Sequence, residues 1–130
     1  MNDVNHSTPT DRKRLAVIGT GALGRHHARI LSQMPDVELV AAVDPNPEIG
    51  RPVAEACGTI WLPDASSLHD CLDAAVIVVP TSLHLTIARE FLCRGIPLLV
   101  EKPLARTVEE RRDLVALASE SDTILVVGNV

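Results

Sequence analysis

Short runs of apolar residues alternate along the chain with segments whose apolar positions recur every three or four residues. The runs predict β-strands buried on both faces, and the periodic segments predict amphipathic helices. Strands are predicted over residues 14–19, 37–43, 59–62, 74–79, 96–100 and 123–127. This alternation predicts an α/β fold: a doubly wound, mainly parallel sheet with right-handed crossovers and helices on both faces, three layers in all.

Helices are predicted over residues 22–34, 51–57, 66–72 and 83–94, with a last helix after Thr107. The first helix is expected to bury one face, made of Leu23, His27, Ile30, Leu31 and Met34. Pro52 is expected in the first turn of the second helix, and Gly58 is expected to end it. Thr107 and Glu110 match a capping box, in which each side chain accepts from a free backbone N–H of the other residue.

Composition fits one soluble domain with an aliphatic core. The 130 residues are 46% hydrophobic but only 2% aromatic. We expect a flexible tail over residues 1–12 and a single folded domain over residues 13–130. A net charge of −5 argues against a nucleic-acid partner. No apolar run is long enough to cross a membrane, so we expect no membrane partner.

The three cysteines, Cys57, Cys71 and Cys93, follow neither a disulfide pattern nor a zinc pattern. Reduced thiols, together with a polar N-terminus that shows no signal peptide, predict a cytoplasmic protein.

A glycine-rich segment links the first predicted strand to the first helix. It reads Gly19, Thr20, Gly21, Ala22, Leu23, Gly24 and has the G-x-G-x-x-G spacing of a dinucleotide-binding turn. The first glycine permits the tight turn, the second lets a pyrophosphate approach the backbone, and the third lets helix and strand pack closely. Arg25 and His26 follow, so the lysine and hydroxyl of a P-loop are missing. The remaining alternative is a glycine turn without a ligand.

Asp44 ends the second predicted strand, 20 residues after Gly24. That spacing is typical of the carboxylate that accepts the ribose hydroxyls of a bound dinucleotide. A carboxylate there repels a 2′-phosphate, which favours NAD over NADP. The alternative is a plain Asp-Pro turn in which Asp44 bonds its own backbone.

Two more strand ends carry unusual residues. Pro80, Thr81 and His84 follow the fourth predicted strand, and the pair Glu101 and Lys102 follows the fifth. Parallel sheets bind ligands beyond the carboxyl ends of their strands, so these segments and the glycine turn should meet at one crevice. A lysine in a partly dry pocket there would have its charged form disfavoured, which suits proton transfer.

The chain resembles the Gfo/Idh/MocA oxidoreductases through "VIGTGALGRHHARIL", "VVPTSLHLTIA", "VEKPLA" and "VVGNV". The resemblance implies a Rossmann-type domain that binds NAD(P) and transfers hydride at a hydroxyl-bearing carbon, often of a sugar or polyol. It implies that Lys102 is the catalytic lysine and binds the reacting hydroxyl. It also implies that Pro80, Thr81, His84 and Glu101 line the nicotinamide side.

Members of that family continue into a substrate domain that carries further catalytic groups and an oligomer interface. We therefore expect this chain to hold the cofactor half, catalytically incomplete by itself, with homo-oligomerisation possible. Pro52 departs from the family by shortening a helix that usually begins earlier. The alternative function is a non-catalytic NAD(H) sensor or regulatory module, which would have no use for Lys102.

The histidines do not predict a metal site. His26 and His27 are adjacent on a helix and point about 100° apart, so they cannot easily chelate one ion. His27 is expected to be a hydrogen-bonded packing residue. His84 either contacts cofactor or substrate or sits in the first turn of its helix, and the sequence leaves both open. The absence of tyrosine excludes Tyr-x-x-x-Lys dehydrogenase chemistry.

Overall fold

A computed structural model describes residues 12–128 of the chain. Its strands are β1 (Lys13–Ile18), β2 (Val37–Val43), β3 (Ile60–Leu62), β4 (Ala74–Ile77), β5 (Leu98–Val100) and β6 (Leu125–Val127). Its α-helices are α1 (Ala22–Gln33), α2 (Pro47–Cys57), α3 (His84–Leu92) and α4 (Val108–Glu120), with 3₁₀ turns at Ser66–Leu68 and Thr81–Leu83. The predicted tail, apart from Arg12, lies outside the described residues.

The strands form one sheet in the order β3-β2-β1-β4-β5-β6, and every pairing between them is parallel. The chain therefore winds outwards from β1 in one direction and from β4 in the other, which confirms the doubly wound α/β prediction. Where β1 and β4 lie side by side, the strand order reverses, and a sheet of this kind opens a crevice at that point.

Residues along each strand alternate between two hydrophobic cores. In β1, Ala16 and Ile18 face the core that is built with α3 and α4, while Val17 faces the core that is built with α1 and α2. All three side chains are buried. The sheet is thus covered on both faces, as the continuous apolar runs predicted.

The buried face of helix α1 matches the prediction at His27 but is rotated away from Leu23 and Met34. Leu23 and Met34 are 45% and 43% exposed, whereas Gly24, His27 and Ala28 are buried. The physical reason is close packing at Gly24, where an added Cβ would lie 1.9 Å from the carbonyl oxygen of Gly19. The smallest residues of the helix must therefore face the loop and sheet, and that rotation turns Leu23 outwards.

Helix α2 begins earlier than predicted. The side chain of Asn46 caps it by accepting from the backbone N–H of Glu48 at 3.0 Å, and Pro47 occupies its first position. Pro52 therefore lies inside the helix and does not shorten it, so the expectations about Pro52 were wrong. Gly58, with φ of +70°, ends the helix in the left-handed conformation, as predicted.

The predicted capping box at the start of α4 is confirmed for Thr107, whereas the Glu110 carboxylate binds Arg106 in place of the backbone N–H of Thr107. The hydroxyl of Thr107 accepts from the backbone N–H of Glu110 at 3.0 Å. The carboxylate of Glu110 accepts from the backbone N–H of Arg106 at 3.1 Å and pairs with the Arg106 guanidinium at 2.8 Å. These contacts determine where α4 begins after the turn that follows β5.

Candidate functional site

Two of the three glycines in the loop after β1 are required by packing. Gly19 has φ of +99°, and an added Cβ would lie 2.1 Å from the carbonyl oxygen of Val78. Gly24 would place a Cβ against Gly19 itself. The loop is therefore pressed against the end of β4 on one side and against the first turn of α1 on the other, which gives it a fixed shape.

Gly21 has no such constraint from the protein. It is exposed, its φ is −63°, and no atom lies within 4 Å of the position a Cβ would take. It is the N-cap residue of α1, where it offers no side-chain cap, and the first turn contains no acidic residue. By contrast, Asn46 caps α2 and Thr107 caps α4. No side chain therefore caps the N–H groups that open α1, and the space beside Gly21 is free, an arrangement that fits a diphosphate.

Asp44 lies beside this loop, at the end of β2. Its Oδ2 accepts from both the backbone N–H and the hydroxyl of Thr20, each at 3.0 Å, and its Oδ1 accepts from the backbone N–H of Asn46 at 2.9 Å. A carboxylate has about four acceptor positions, so these contacts leave room for a further donor. The turn alternative and the loop contact are therefore both present, and a role for Asp44 at a ribose stays a prediction.

Thr20 and Trp61 support Asp44. Thr20 is 1% exposed, so its side chain holds Asp44 and does not face a ligand. The indole N–H of Trp61 donates to the carbonyl oxygen of Asp44 at 2.9 Å, and an added Cβ on Gly50 would collide with that indole. The role of Trp61 could not be predicted from the sequence, because only the pairing of β2 with β3 brings it next to Asp44.

The crevice expected from the strand ends is formed by the sheet order. Strands β1, β4 and β5 are neighbours, so the glycine loop, the segment from Pro80 to Thr81, and the pair Glu101 and Lys102 leave the same edge of the sheet. Pro80 is exposed and Thr81 is half-buried. The structure thus brings together the three segments that the sequence singled out.

His84 occupies the first position of α3 and is 1% exposed. Its Nδ1 lies 2.9 Å from the carbonyl oxygen of Leu104, and its Nε2 lies 3.0 Å from the carbonyl oxygen of Val79. Both ring nitrogens are therefore occupied by the backbone. Of the two possibilities left open by the sequence, this geometry matches the helix-terminal residue and leaves no nitrogen for a cofactor.

Glu101 is also turned inwards. It is 6% exposed, and its Oε2 lies 2.7 Å from Nε2 of His27, which is buried on α1. His27 is thus a hydrogen-bonded packing residue, as expected. The two charged neighbours in the sequence have opposite environments, because Glu101 points into the protein and Lys102 points out of it.

Lys102 is exposed, so the described residues do not make the partly dry pocket that was expected from the position of this lysine after β5. The side chain borders a groove of about 430 Å³ that also contains Thr107, Arg111 and Val127. A larger groove, of about 930 Å³, runs between α1 and α2, and only the end formed by Thr20, Gly21 and Ala22 reaches the glycine loop.

Three remaining features bear on the class of site. Within residues 12–128, no group of three or more His, Cys, Asp or Glu side chains is arranged to hold a metal ion. No helix in that part of the chain has the length and apolar character needed to cross a bilayer. Cys57, Cys71 and Cys93 are all unpaired thiols.

An all-parallel sheet with the strand order 3-2-1-4-5-6, a glycine turn at an uncapped helix N-terminus and an acidic residue at the end of the second strand define a dinucleotide-binding Rossmann domain. A family model described as "Oxidoreductase family, NAD-binding Rossmann fold" matches residues 13–129. The chain belongs to this family, the Gfo/Idh/MocA oxidoreductases, as its motifs indicated.

Named dehydrogenases and a solved structure are similar to this chain, which supports its place in the family. A UDP-N-acetylglucosamine 3-dehydrogenase from Acidithiobacillus ferrooxidans is 33% identical over 90% of this chain and 37% of its own length. An inositol 2-dehydrogenase from Rhizobium meliloti is 31% identical over 88% of this chain and 35% of its own. The solved structure of GenD2 from gentamicin A biosynthesis, in complex with NAD, superposes with a TM-score of 0.86 at 29% identity, over 98% of this chain and 37% of that one. The chain thus spans about a third of the length of these relatives.

Proposed function

We propose that the crevice above β1, β4 and β5 binds NAD(H), and that the domain serves hydride transfer at a hydroxyl-bearing carbon of a sugar, polyol or related small molecule. The observation that carries this proposal is the open N-terminus of α1 at Gly21, in a chain that belongs to an NAD-binding oxidoreductase family. In this arrangement the backbone of Gly19, Gly21 and Ala22 cradles the diphosphate, and Asp44 accepts from the adenosine ribose.

The nicotinamide, when bound, supplies the site that accepts or returns a hydride. The residues of this chain hold and move a proton. Lys102 lies at the end of β5, the strand next to β4, and its ammonium is free to reach a substrate hydroxyl. There it orients the hydroxyl and helps to move its proton. Pro80 and Thr81, at the end of β4, lie on the same edge and border the nicotinamide side.

The dry surroundings that would tune Lys102 must come from groups beyond the described residues, because the side chain is exposed here. In the proposed enzyme, substrate and further protein surface cover the ammonium and exclude water. The named relatives act on nucleotide sugars and inositol, which supports a polyhydroxylated substrate for this chain.

The two dehydrogenases described above give no support to the alternative of a non-catalytic NAD(H) sensor. We retain NAD over NADP because of the Asp44 carboxylate, and a reducing, cytoplasmic compartment because of the three free thiols. A homo-oligomer remains part of the proposal through family resemblance alone.

The direct test is titration with NADH and NADPH, followed by cofactor fluorescence and by quenching of Trp61. We expect NADH to bind more tightly, because Asp44 repels a 2′-phosphate. Tighter binding of NADPH would contradict the role given to Asp44, and binding of neither would contradict the proposed function. Lys102→Ala should leave NADH affinity nearly unchanged, since its role is chemical. A large loss of affinity would count against that assignment.

A further inference from the structure

The turn that carries Lys102 is held at both ends by buried histidines from two other segments of the crevice. We define the lysine turn as residues 101–105. Its first residue, Glu101, and its fourth, Leu104, are buried at 6% and 8% exposure, while Lys102 between them is exposed. Each buried residue meets a histidine that comes from a different helix.

The first contact joins the lysine turn to the glycine loop. His27 lies in the second turn of α1, three residues after Gly24, and its Nε2 is 2.7 Å from Oε2 of Glu101. The side chains of both residues are at least nine-tenths buried. A short contact of this kind, shielded from water, holds its two side chains firmly in place. Helix α1 therefore connects the diphosphate end of the crevice to the base of the lysine turn.

The second contact joins the lysine turn to the segment after β4. His84 lies between the carbonyl oxygens of Val79 and Leu104, at 3.0 Å and 2.9 Å. A carbonyl oxygen only accepts, so a ring nitrogen that bonds to one must carry a proton. The contact to Leu104 specifically requires a proton on Nδ1.

We propose that His27 and His84 are positioning residues, which hold the lysine turn from its two ends and so fix where the Lys102 ammonium stands relative to a bound cofactor. This inference rests on the proposed function of Lys102. Neither histidine needs to touch cofactor or substrate. The long lysine side chain keeps its own freedom, but its Cα is held because Glu101 is anchored to α1 through its carboxylate and Leu104 is anchored to α3 through its carbonyl oxygen.

The ¹⁵N chemical shifts of the His84 ring, measured by NMR on the wild-type chain, test the His84 contact without any mutation. We expect the Nδ1 of His84 to carry a proton that is shielded from solvent, since it donates to Leu104. A ring with a bare Nδ1, protonated only at Nε2, would overturn this part of the proposal.

A set of conservative variants tests the His27 contact. The amide nitrogen of Gln reaches the position of histidine Nε2, whereas that of Asn reaches only the position of Nδ1. We therefore expect His27→Asn to lower the backbone order parameters of Lys102, Leu104 and Ala105 from about 0.85 to below about 0.6. His27→Gln should restore them. The matched control is His26→Asn, because His26 is exposed and contacts Arg29 on its own helix.

Two results would overturn the proposal: unchanged order parameters in His27→Asn, or an equal fall across the sheet. If His27→Asn itself fails to fold, Glu101→Ala replaces it, because that change removes the acceptor of the His27 contact, and the same local loosening is expected. NADH titration of the wild type separates this inference from the proposed function. A turn that loosens as expected in a chain that binds no NADH would refute the proposed function and leave only the anchoring of the lysine turn by His27 established.

Discussion

At the scale of single residues, the three glycines of the motif have different structural roles. Gly19 and Gly24 are required by the fold, since a Cβ on either would collide with backbone oxygen, whereas Gly21 faces open space. The motif spacing predicted all three positions, because the physical demands of the turn do not depend on the rest of the protein. Which glycine serves packing and which leaves room for a ligand could be separated only with the neighbours in place.

This difference makes Gly21→Ala a specific test. We expect its free energy of unfolding to change by less than about 0.5 kcal/mol, because φ is −63° and the space is free. NADH should bind roughly tenfold more weakly, a loss of about 1.4 kcal/mol, since the methyl group stands where the diphosphate approaches. Urea unfolding and NADH titration measure the two quantities.

Gly24→Ala is the matched comparison. The same added methyl group should destabilise this variant by about 1–3 kcal/mol through overpacking against Gly19. Unaltered NADH affinity in Gly21→Ala would show that the diphosphate does not lie against that residue.

The environments of the side chains that follow β4 and β5 were harder to predict from the sequence. Lys102 and Glu101 were identified from their place after a dry strand, but their opposite exposures were not. The burial of Glu101 depends on His27, which is 74 residues away in sequence. His84 was left undecided for the same reason, since its partner Leu104 is 20 residues away.

At the scale of elements, helix α2 shows why boundaries were the weakest prediction. A proline normally marks a helix start, yet Pro47 and Pro52 both lie in this helix, and only the first occupies the opening position. The cap formed by Asn46 determines the start. Pro52 cannot donate to the carbonyl of Glu48 and is tolerated inside the helix at a cost in stability.

Pro52→Ala should therefore stabilise the chain. The substitution restores one backbone hydrogen bond, and the gain is partly offset by the greater freedom of the unfolded chain. We expect the free energy of unfolding to rise by about 1–2 kcal/mol, measured by urea denaturation. Pro35→Ala, in the exposed turn after α1, is the control and should give no such gain. A lower midpoint for Pro52→Ala would mean that the proline ring makes a packing contact that outweighs the missing bond.

The start of α4 should show a dependence of stability on pH. Hydrogen bonding to the Arg106 side chain, the largest cause, holds the pKa of Glu110 below its ordinary value of 4.5. A carboxylate whose pKa is lowered by folding stabilises the protein above the unfolded pKa and loses that effect as pH falls through the folded value.

Comparison of wild type with Glu110→Gln measures this effect. We expect the wild type to be the more stable protein at neutral pH, and the difference between them to shrink below about pH 4.5. Thermal unfolding across pH 2 to 7 provides the readout. A difference that stays constant over that range would show that the carboxylate charge contributes nothing at this cap.

At the scale of the whole molecule, one sheet joins two cores that do not touch each other. Leu114 on α4 is fully buried in the core of one face, while Trp61 packs against the core of the other. Because every central strand contributes to both cores, loss of packing on one face should weaken the other.

Leu114→Ala tests that cooperativity. We expect a loss of about 2–5 kcal/mol from the cavity left on its own face. The loss should appear in full in the unfolding curve that Trp61 fluorescence reports from the opposite face. Val115→Ala, on the exposed side of the same helix, is the control and should change stability little. An unchanged Trp61 transition in Leu114→Ala would show that the two faces unfold independently.

The sequence by itself determined the fold class, the three crevice segments and the glycine turn, because strand and helix periodicity and turn chemistry are local properties of the chain. Tertiary structure alone decided the environment of each polar side chain: Glu101 buried on His27, His84 occupied by two carbonyls, Lys102 exposed, and Asp44 held by Thr20. Those environments arise from strand order and helix packing, which bring together residues that no local pattern connects.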